Sequence, residues 1–292
     1  MKNSMKRRII AIMAAVSLMT FGLVGCGSES PQSADAAEQG KNEESVELNG
    51  TIKLAGSTSM EKLCEAMSES FMEKNPGVTV TVEYTGSGAG LESLAAGSVD
   101  IGNASRGLKD EEKASGEVEN IVAIDGIAVI TNKSCSIKDV TSKDLAKIYT
   151  GEITDWAELG GEEQPIIVIG REAGSGTRDA FEELLEVKDV CAYAQELDST
   201  GAVLAKVGTT PGAIGYVSLD VVDDTVSGLK IDGVEPTEEE ILAGNYMLQR
   251  PFVMATKGEI SEQNELVQTW FNYINSDDGK EVIKQVGLII PQ

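Results

Sequence analysis

The sequence contains no histidine. Without an imidazole the chain cannot form a Ser-His-Asp or Cys-His catalytic arrangement or a histidine-ligated zinc site, and it lacks the usual general base near neutral pH. Its four cysteines include no CxxC pair, so zinc-ribbon and thioredoxin motifs are absent as well. We therefore predict a protein that is not an enzyme and that carries no cofactor or metal.

Basic residues are also scarce. The chain has 24 of them against 48 acidic residues, a net charge of −24, and no basic stripe follows the N-terminus. This balance argues against a nucleic-acid partner. With 41% hydrophobic and 25% charged residues the composition is globular, and 292 residues predict about two domains.

The N-terminus has the pattern of an export signal. Four basic residues within residues 1–8 precede an uncharged run over residues 9–25, which is short for a membrane-spanning helix. The run ends in Leu23-Val24-Gly25-Cys26, which resembles the lipobox of bacterial lipoproteins and implies cleavage after residue 25 and lipidation of Cys26. An ordinary signal peptide with an incidental cysteine and a retained helical anchor stay open. The polar residues 26–47 are predicted to be a flexible tether.

The remaining chain alternates short apolar runs with segments of helical periodicity. Strands are predicted at 51–55, 78–84, 99–102, 121–131, 166–170, 213–217 and 252–255, and helices at 60–71, 91–96, 143–149, 178–185, 190–197 and 265–275. This order predicts an α/β fold with two lobes, each a mainly parallel sheet covered by helices. Cys64 lies on the apolar face of the first helix and is predicted to be buried, while a disulfide between Cys135 and Cys191 stays open.

Three stretches rich in glycine, serine and threonine each follow a predicted strand and precede a predicted helix. The first corner is Gly56-Ser57-Thr58-Ser59, the second is Gly86-Ser87-Gly88-Ala89-Gly90, and the third is Gly174-Ser175-Gly176-Thr177. Each can present backbone N–H groups and hydroxyls at the positive end of a helix, which is how proteins commonly hold an anion. Because the same residue types are ordinary helix caps, simple capping stays the alternative for any single corner.

Two arginines flank the third corner. Arg171 precedes it and Arg178 begins the following helix, where a cation opposes the helix dipole and therefore indicates an anion nearby. Neutralisation of Arg178 by Asp179, Glu182 and Glu183 is the alternative, so Arg171 is the stronger candidate. Three helix ends and one guanidinium suit a compact dianion, because distant surface charge is screened beyond about 8–10 Å at physiological salt.

Competing motifs are incomplete. Residues 170–177 lack the GK[ST] ending of a P-loop, and the second corner is not a GxGxxG sequence. Ser59-Met60-Glu61-Lys62 spells the SxxK of penicillin-recognising enzymes, but the chain has neither the SDN nor the KTG that completes that site.

Taken together, four motifs resemble the substrate-binding lipoproteins of bacterial phosphate ABC transporters, which have the type II periplasmic-binding-protein fold. The motifs are Ala55-Gly56-Ser57-Thr58-Ser59, Tyr84-Thr85-Gly86-Ser87-Gly88-Ala89-Gly90, Asp100-Ile101-Gly102-Asn103-Ala104-Ser105-Arg106 and Arg171-Glu172-Ala173-Gly174-Ser175-Gly176-Thr177-Arg178. The resemblance implies one lobe over residues 48–127 and 252–292 and a second over residues 128–251. Two strands would cross between the lobes near 127–131 and 251–255, with phosphate buried in the cleft.

The resemblance also implies a set of phosphate contacts from both lobes. They are Ser57, Thr58 and Ser59 at the first corner, Ser87 and Gly88 at the second, Ser105 after the third strand, and Arg171, Ser175, Gly176 and Thr177 from the other lobe. Arg171 would supply a bidentate charged contact. The roles of Arg106 and Arg178 are left open.

One position departs from the family pattern. Well-known members carry an aspartate that accepts the proton of hydrogen phosphate, and here Ser105-Arg106 stands in that place. Such an acceptor rejects sulfate, because a fully ionised anion would leave lone pairs facing each other unpaired. We predict that Asp125, isolated in an apolar run, takes this role; capping of the turn at Gly126 is the alternative.

The predicted function is capture of inorganic phosphate outside the cytoplasm and its delivery to the permease subunits of an ABC importer. The protein would be held to the outer face of the cytoplasmic membrane by the lipid on Cys26. Two alternatives stay open: a carrier for sulfate, molybdate or tungstate, and a surface lipoprotein that senses phosphate or serves in adhesion.

Overall fold

The computed structural model describes residues 48–291. The predicted signal over residues 1–25, the lipid-bearing Cys26 and the tether over residues 26–47 lie outside these described residues. Within 48–291 no helix is long and apolar enough to cross a membrane. The same part of the chain holds no group of three or more potential metal ligands.

Strands and helices alternate along the described chain. The strands are β1 Gly50–Gly56, β2 Val78–Tyr84, β3 Ile101–Ala104, β4 Glu117–Val118, β5 Ile121–Asn132, β6 Asp139–Val140, β7 Ile167–Arg171, β8 Gln195–Leu197, β9 Ala213–Ser218, β10 Val226–Gly228, β11 Lys230–Ile231 and β12 Gln249–Lys257. The helices are α1 Glu61–Lys74, α2 Ser87–Ala95, α3 Asp110–Ala114, α4 Ser142–Thr150, α5 Gly176–Leu184, α6 Thr200–Thr209, α7 Glu238–Leu242, α8 Glu265–Ile274 and α9 Asp277–Gln285. Every strand predicted from the sequence is present, with ends that differ by a few residues.

Most strands join one mixed sheet in the order β2-β1-β3-β12-β5-β9-β7-β8, with β10 beside β5 and β4 beside β12. At one end β1 is parallel to β2 and β3, and at the other β7 is parallel to β8 and β9. Between these ends the long strands β5 and β12 run antiparallel to each other. The sheet confirms the predicted α/β class, and its parallel ends place the carboxyl ends of β1 and β7 where helices begin.

Two large clusters of buried apolar side chains lie along the sheet. The first includes Phe71 and Trp270, whose rings meet edge to face at 5.2 Å. The second includes Phe181 and Tyr216, which stack at 4.2 Å. Strand β5 contributes to both, with residues 122–123 in the first cluster and Ile127 and Val129 in the second. The proposed lobe boundaries at 127 and 251 stay predictions.

The predicted helix over residues 190–197 is wrong. Residues Gln195–Leu197 instead form β8, which pairs in parallel with β7, and the helix α6 begins only at Thr200. Asp189 adopts a left-handed backbone with φ of 59°, and the Tyr193 hydroxyl bonds the Glu182 carboxylate at 2.9 Å. Val190 is 60% exposed, so the apolar residues of this stretch do not form one buried helical face.

The three described cysteines are free thiols. Cys64 is fully buried, as predicted, and burial raises the pKa of its thiol to about 12, with Glu65 adding a smaller effect. Cys135 and Cys191 each bond a backbone carbonyl instead of forming the disulfide that the sequence left open.

Candidate anion site

The first corner is a tight turn between β1 and α1. Gly56 has φ of +142°, and a side chain there would come within 2.0 Å of the Asn103 carbonyl, so the position requires glycine. Ser57 then caps a short 3-10 helix, Thr58–Met60, by accepting the Ser59 N–H at 3.2 Å. The turn leaves the hydroxyls of Thr58 and Ser59 buried inside the protein.

The second and third corners lie directly against each other. The Gly88 N–H donates to the Gly174 carbonyl at 2.9 Å. A side chain on Gly176 would come within 2.3 Å of the Ser87 hydroxyl and 2.9 Å of the Ser105 hydroxyl. Glycine at 176 therefore allows the start of α5 to approach the start of α2 closely.

Six buried hydroxyl side chains meet where these corners converge. This hydroxyl cluster consists of Thr58, Ser59, Ser87, Ser105, Thr177 and Thr200, each no more than 5% exposed. Its shortest contacts join the Ser59 hydroxyl to those of Thr177 at 2.7 Å and Thr200 at 2.9 Å. The Ser105 N–H donates to the Ser87 hydroxyl at 3.2 Å, and the Ser105 and Thr177 hydroxyls are 3.5 Å apart.

Arg171 brings a positive charge to this cluster. It is 2% exposed, and its Nη1 donates to the Thr200 hydroxyl at 3.2 Å. The rest of its guanidinium is held by Glu172, which accepts from Nε at 2.9 Å and from Nη2 at 2.8 Å. The Leu197 carbonyl also accepts from Nε at 3.1 Å, and the Asp198 carbonyl accepts from Nη2 at 3.3 Å. The guanidinium is therefore fixed in one orientation beside the hydroxyls.

Thr200 is the site residue that the sequence did not reveal. Its hydroxyl lies 3.1 Å from that of Thr58, and its N–H donates to the same Thr58 oxygen at 3.2 Å. It begins α6, which Ser199 caps, so a fourth helix start joins the three predicted ones. The stretch Asp198-Ser199-Thr200-Gly201 has the composition of a fourth corner. The wrongly predicted helix over 190–197 concealed it.

Asp125 lies outside the hydroxyl cluster. Its Oδ2 accepts from Nε and Nη2 of Arg250 at 2.9 and 2.8 Å, and its Oδ1 accepts from the Ser218 hydroxyl at 2.7 Å. Arg250 in turn donates to the Ser105 carbonyl at 3.2 Å. Asp125 thus reaches the Ser105 backbone through Arg250, and its role as the proton acceptor stays a prediction.

The Asp125 and Arg250 pair is almost completely buried. Burial raises the pKa of Asp125 and lowers that of Arg250, while the attraction between the two opposes both effects. Asp220 lies close to this pair, and burial together with the charge of Asp125 raises the pKa of Asp220 to about 7. Through the bond from Arg250 to the Ser105 carbonyl, the ion pair supports the bend at Ser105 after β3, which we call the Ser105 corner.

Arg178 and Arg106 pair with acidic side chains that are not part of the cluster. Arg178 pairs with Glu182 at 2.8 Å and Glu196 at 3.2 Å, so acidic neighbours neutralise it. Arg106 pairs with Glu112 at 2.7 Å and Asp179 at 3.0 Å. Of the cationic side chains that the structure describes, only Arg171 donates to a side chain of the cluster.

This arrangement can hold a compact anion. The starts of α2, α5, α6 and the 3-10 helix before α1 converge on buried hydroxyls that can each donate a hydrogen bond. One fixed guanidinium adds a full positive charge in a site with little access to water, where charge-assisted hydrogen bonds are strong.

A family model described as a PBP superfamily domain matches residues 31–278. The chain belongs to this superfamily, and its fold is the predicted type II periplasmic-binding-protein fold. Over 289 residues it is 32% identical to the Bacillus subtilis protein named phosphate-binding protein PstS, covering 98% of this chain and 95% of that protein. This identity over nearly the full length places the chain with the PstS proteins.

Solved structures give the same result. A Clostridium perfringens protein, described as a phosphate ABC transporter substrate-binding protein with bound phosphate, is 40% identical with a TM-score of 0.80, covering 83% of this chain and all 100% of its own. An ABC-type phosphate transport receptor from Vibrio cholerae is 31% identical with a TM-score of 0.70, covering 82% of this chain and 100% of its own.

Proposed function

We propose that this protein binds inorganic phosphate at the hydroxyl cluster and delivers it to the permease subunits of an ABC importer. The observation that carries the proposal is the convergence of four helix starts and Arg171 on six buried hydroxyls. The relatives named as phosphate-binding proteins support the choice of phosphate among the tetrahedral oxyanions.

Titration calorimetry of the purified protein with inorganic phosphate tests this function, with sulfate, molybdate and tungstate as comparisons. We expect saturable binding of one phosphate per chain and weaker binding of the other three anions. Absence of phosphate binding would reject the proposal, and tighter binding of another oxyanion would favour the alternative carrier.

Binding is proposed to close two lobes, one of residues 48–127 and 252–292 and the other of residues 128–251. Contacts that join these lobes at the site include Ser59 with Thr177, Thr58 with Thr200, and Gly88 with Gly174. Separation of the lobes would expose the hydroxyls to water, and closure would complete the donor shell around the anion. The closed form would be the one that docks on the permease.

Asp125 is proposed to make the site prefer hydrogen phosphate over sulfate. We expect Asp125→Asn to increase competition by sulfate against phosphate by about tenfold, equivalent to about 1.4 kcal/mol, because Arg250, which bonds the Ser105 carbonyl, would lose its counter-charge and favour a fully ionised anion. Calorimetric competition measures the ratio, and urea denaturation verifies that the variant is folded. Asp224→Asn makes the same chemical change at an exposed position and should leave the ratio unaltered. An unchanged ratio in Asp125→Asn would remove Asp125 from the selectivity mechanism.

The proposed location is the outer face of the cytoplasmic membrane. A lipid anchor on Cys26 is supported by three features of the N-terminus: the four basic residues within 1–8, the apolar run that follows, and the sequence Leu23-Val24-Gly25-Cys26. Mass spectrometry of the mature N-terminal peptide should find Cys26 as its first residue, bearing a diacylglycerol group. A mature chain that starts elsewhere, or that carries an unmodified Cys26, would contradict the anchor.

A further inference from the structure

Arg106 is a buried cation whose three guanidinium nitrogens all donate to protein acceptors. It is 6% exposed and directly follows Ser105 of the hydroxyl cluster. Nη1 and Nη2 donate to the two carboxylate oxygens of Glu112 at 2.8 and 2.7 Å, and Nη1 also donates to the Gly107 carbonyl at 2.9 Å. Nε donates to Asp179 at 3.0 Å. A guanidinium with this many fixed partners holds the chain around it in place.

The two acids that Arg106 contacts belong to different parts of the fold. Glu112 lies in α3, only six residues along the chain from Arg106. Asp179 lies in the first turn of α5, two residues after Thr177 of the hydroxyl cluster, and also pairs with Lys109 at 3.0 Å. The loop that follows β3 is therefore tied to the start of α5 by two cations that share one carboxylate.

These ion pairs connect two elements, the loop after β3 and helix α5, that pack in different apolar clusters. Helix α5 packs in the second cluster through Phe181, while β3 belongs to the first through Ile101. Among residues 48–291, Asp179 is the only acidic residue of α5 that forms an ion pair with the loop over residues 105–109. Loss of this carboxylate would leave the Ser105 corner and the α5 start joined by weaker hydroxyl contacts.

We propose that Arg106 is a positioning residue of the anion site, which fixes the Ser105 corner against the first turn of α5 through Asp179 and so slows release of the bound anion. This inference rests on the proposed function. Ser105 directly precedes Arg106, and Thr177 lies two residues before Asp179. The ion pair therefore joins the two chain segments that carry these hydroxyls, which are 3.5 Å apart.

The ion-pair group acts by geometry and contributes little net charge. Arg106 and Lys109 balance Glu112 and Asp179, so the four side chains together add no net charge to the site. Burial opposes ionisation of Glu112, yet the hydrogen bonds and charge of Arg106 and the Lys109 N–H hold its pKa below the usual range. The Arg106 side chain is 7% exposed and that of Asp179 is 26% exposed, so salt screens the pair less than a surface pair.

A double-mutant cycle on phosphate release tests the inference. Protein loaded with radiolabelled inorganic phosphate is mixed with excess unlabelled phosphate, and the dissociation rate is measured for wild type, Asp179→Asn, Arg106→Gln and the double variant. We expect each single variant to release phosphate about tenfold faster, with an unchanged association rate, because the contact is made after the anion has entered. The double variant should release it no faster than the faster single variant, because both changes remove the same contact.

Glu183→Gln is the matched control, since it makes the same charge change at an exposed position on α5. Its release rate should equal that of wild type, and thermal melting verifies that all the variants are folded. Unchanged release by Asp179→Asn, or single effects that multiply in the double variant, would overturn the positioning role. If the wild-type protein binds no phosphate, both the proposed function and the positioning role are rejected. If it binds phosphate but Asp179→Asn releases it at the wild-type rate, only the positioning role is rejected.

Discussion

Replacing Arg171 with alanine is expected to weaken phosphate binding by at least about tenfold, since a hydrogen bond from a charged group contributes about 1.5–3 kcal/mol. Arg171 is the one cation that donates to a hydroxyl-cluster side chain among residues 48–291, and Glu172 and two carbonyls hold it rigidly. Without it, Glu172 keeps its negative charge beside the bound anion and adds repulsion. Titration calorimetry with inorganic phosphate measures the change.

Lys206→Ala provides the control for Arg171→Ala. It also removes one positive charge, but Lys206 lies in the last turn of α6, about 9 Å along the helix from Thr200. Its phosphate affinity should be close to that of wild type. Equal affinity of Arg171→Ala and wild type would mean that the anion binds elsewhere.

Thr200→Val is expected to weaken phosphate binding by about tenfold. This corresponds to about 1.4 kcal/mol of binding free energy, lost because donor groups next to residue 200 would have no partner. Valine has nearly the same shape as threonine but cannot accept from Arg171 or share a proton with Thr58 and Ser59. The backbone N–H of residue 200 remains, so the fourth helix start is preserved and only the hydroxyl is tested. Calorimetry again measures the affinity.

Thr209→Val is the matched control on the same helix. The Thr209 hydroxyl is exposed and donates to the Ala205 carbonyl within α6, far from the cluster. Its loss should leave phosphate affinity unchanged. If the two valine variants bind phosphate equally well, Thr200 contributes only to packing.

Local sequence predicted the three corners because their chemistry is local. Glycines such as Gly56 are required by a positive φ and a close approach, and serines such as Ser57 and Ser175 cap the helices that follow them. Strand and helix periodicity then placed each corner at the end of a strand. That the second and third corners touch depends on strand order across the sheet, which no local pattern encodes.

The fourth corner depends on strand pairing that local sequence does not encode. The pattern over residues 190–197 predicts a helix, although Gln195–Leu197 form a strand that pairs with β7. That interpretation left Ser199 and Thr200 without a helix to begin, despite Val203 and Val207 at helical spacing after them. Pairing between strands distant in sequence decided the outcome.

Asp125 and Arg106 show the second limit. Asp125 stands out in the sequence as a charge within an apolar run, but its partner Arg250 lies 125 residues away along the chain. Arg106 stands beside Ser105 in the sequence, but its partner Asp179 lies 73 residues away on α5. Sequence identifies a buried charge that needs a partner, and only the fold identifies the partner.

A crystal structure of the protein grown with excess orthophosphate tests the central claim most directly. We expect one tetrahedral anion enclosed between the starts of the four helices, contacted by the hydroxyls of Ser59 and Thr177 and by the guanidinium of Arg171. Density for phosphate at another place, with these turns separated and open to solvent, would contradict the account.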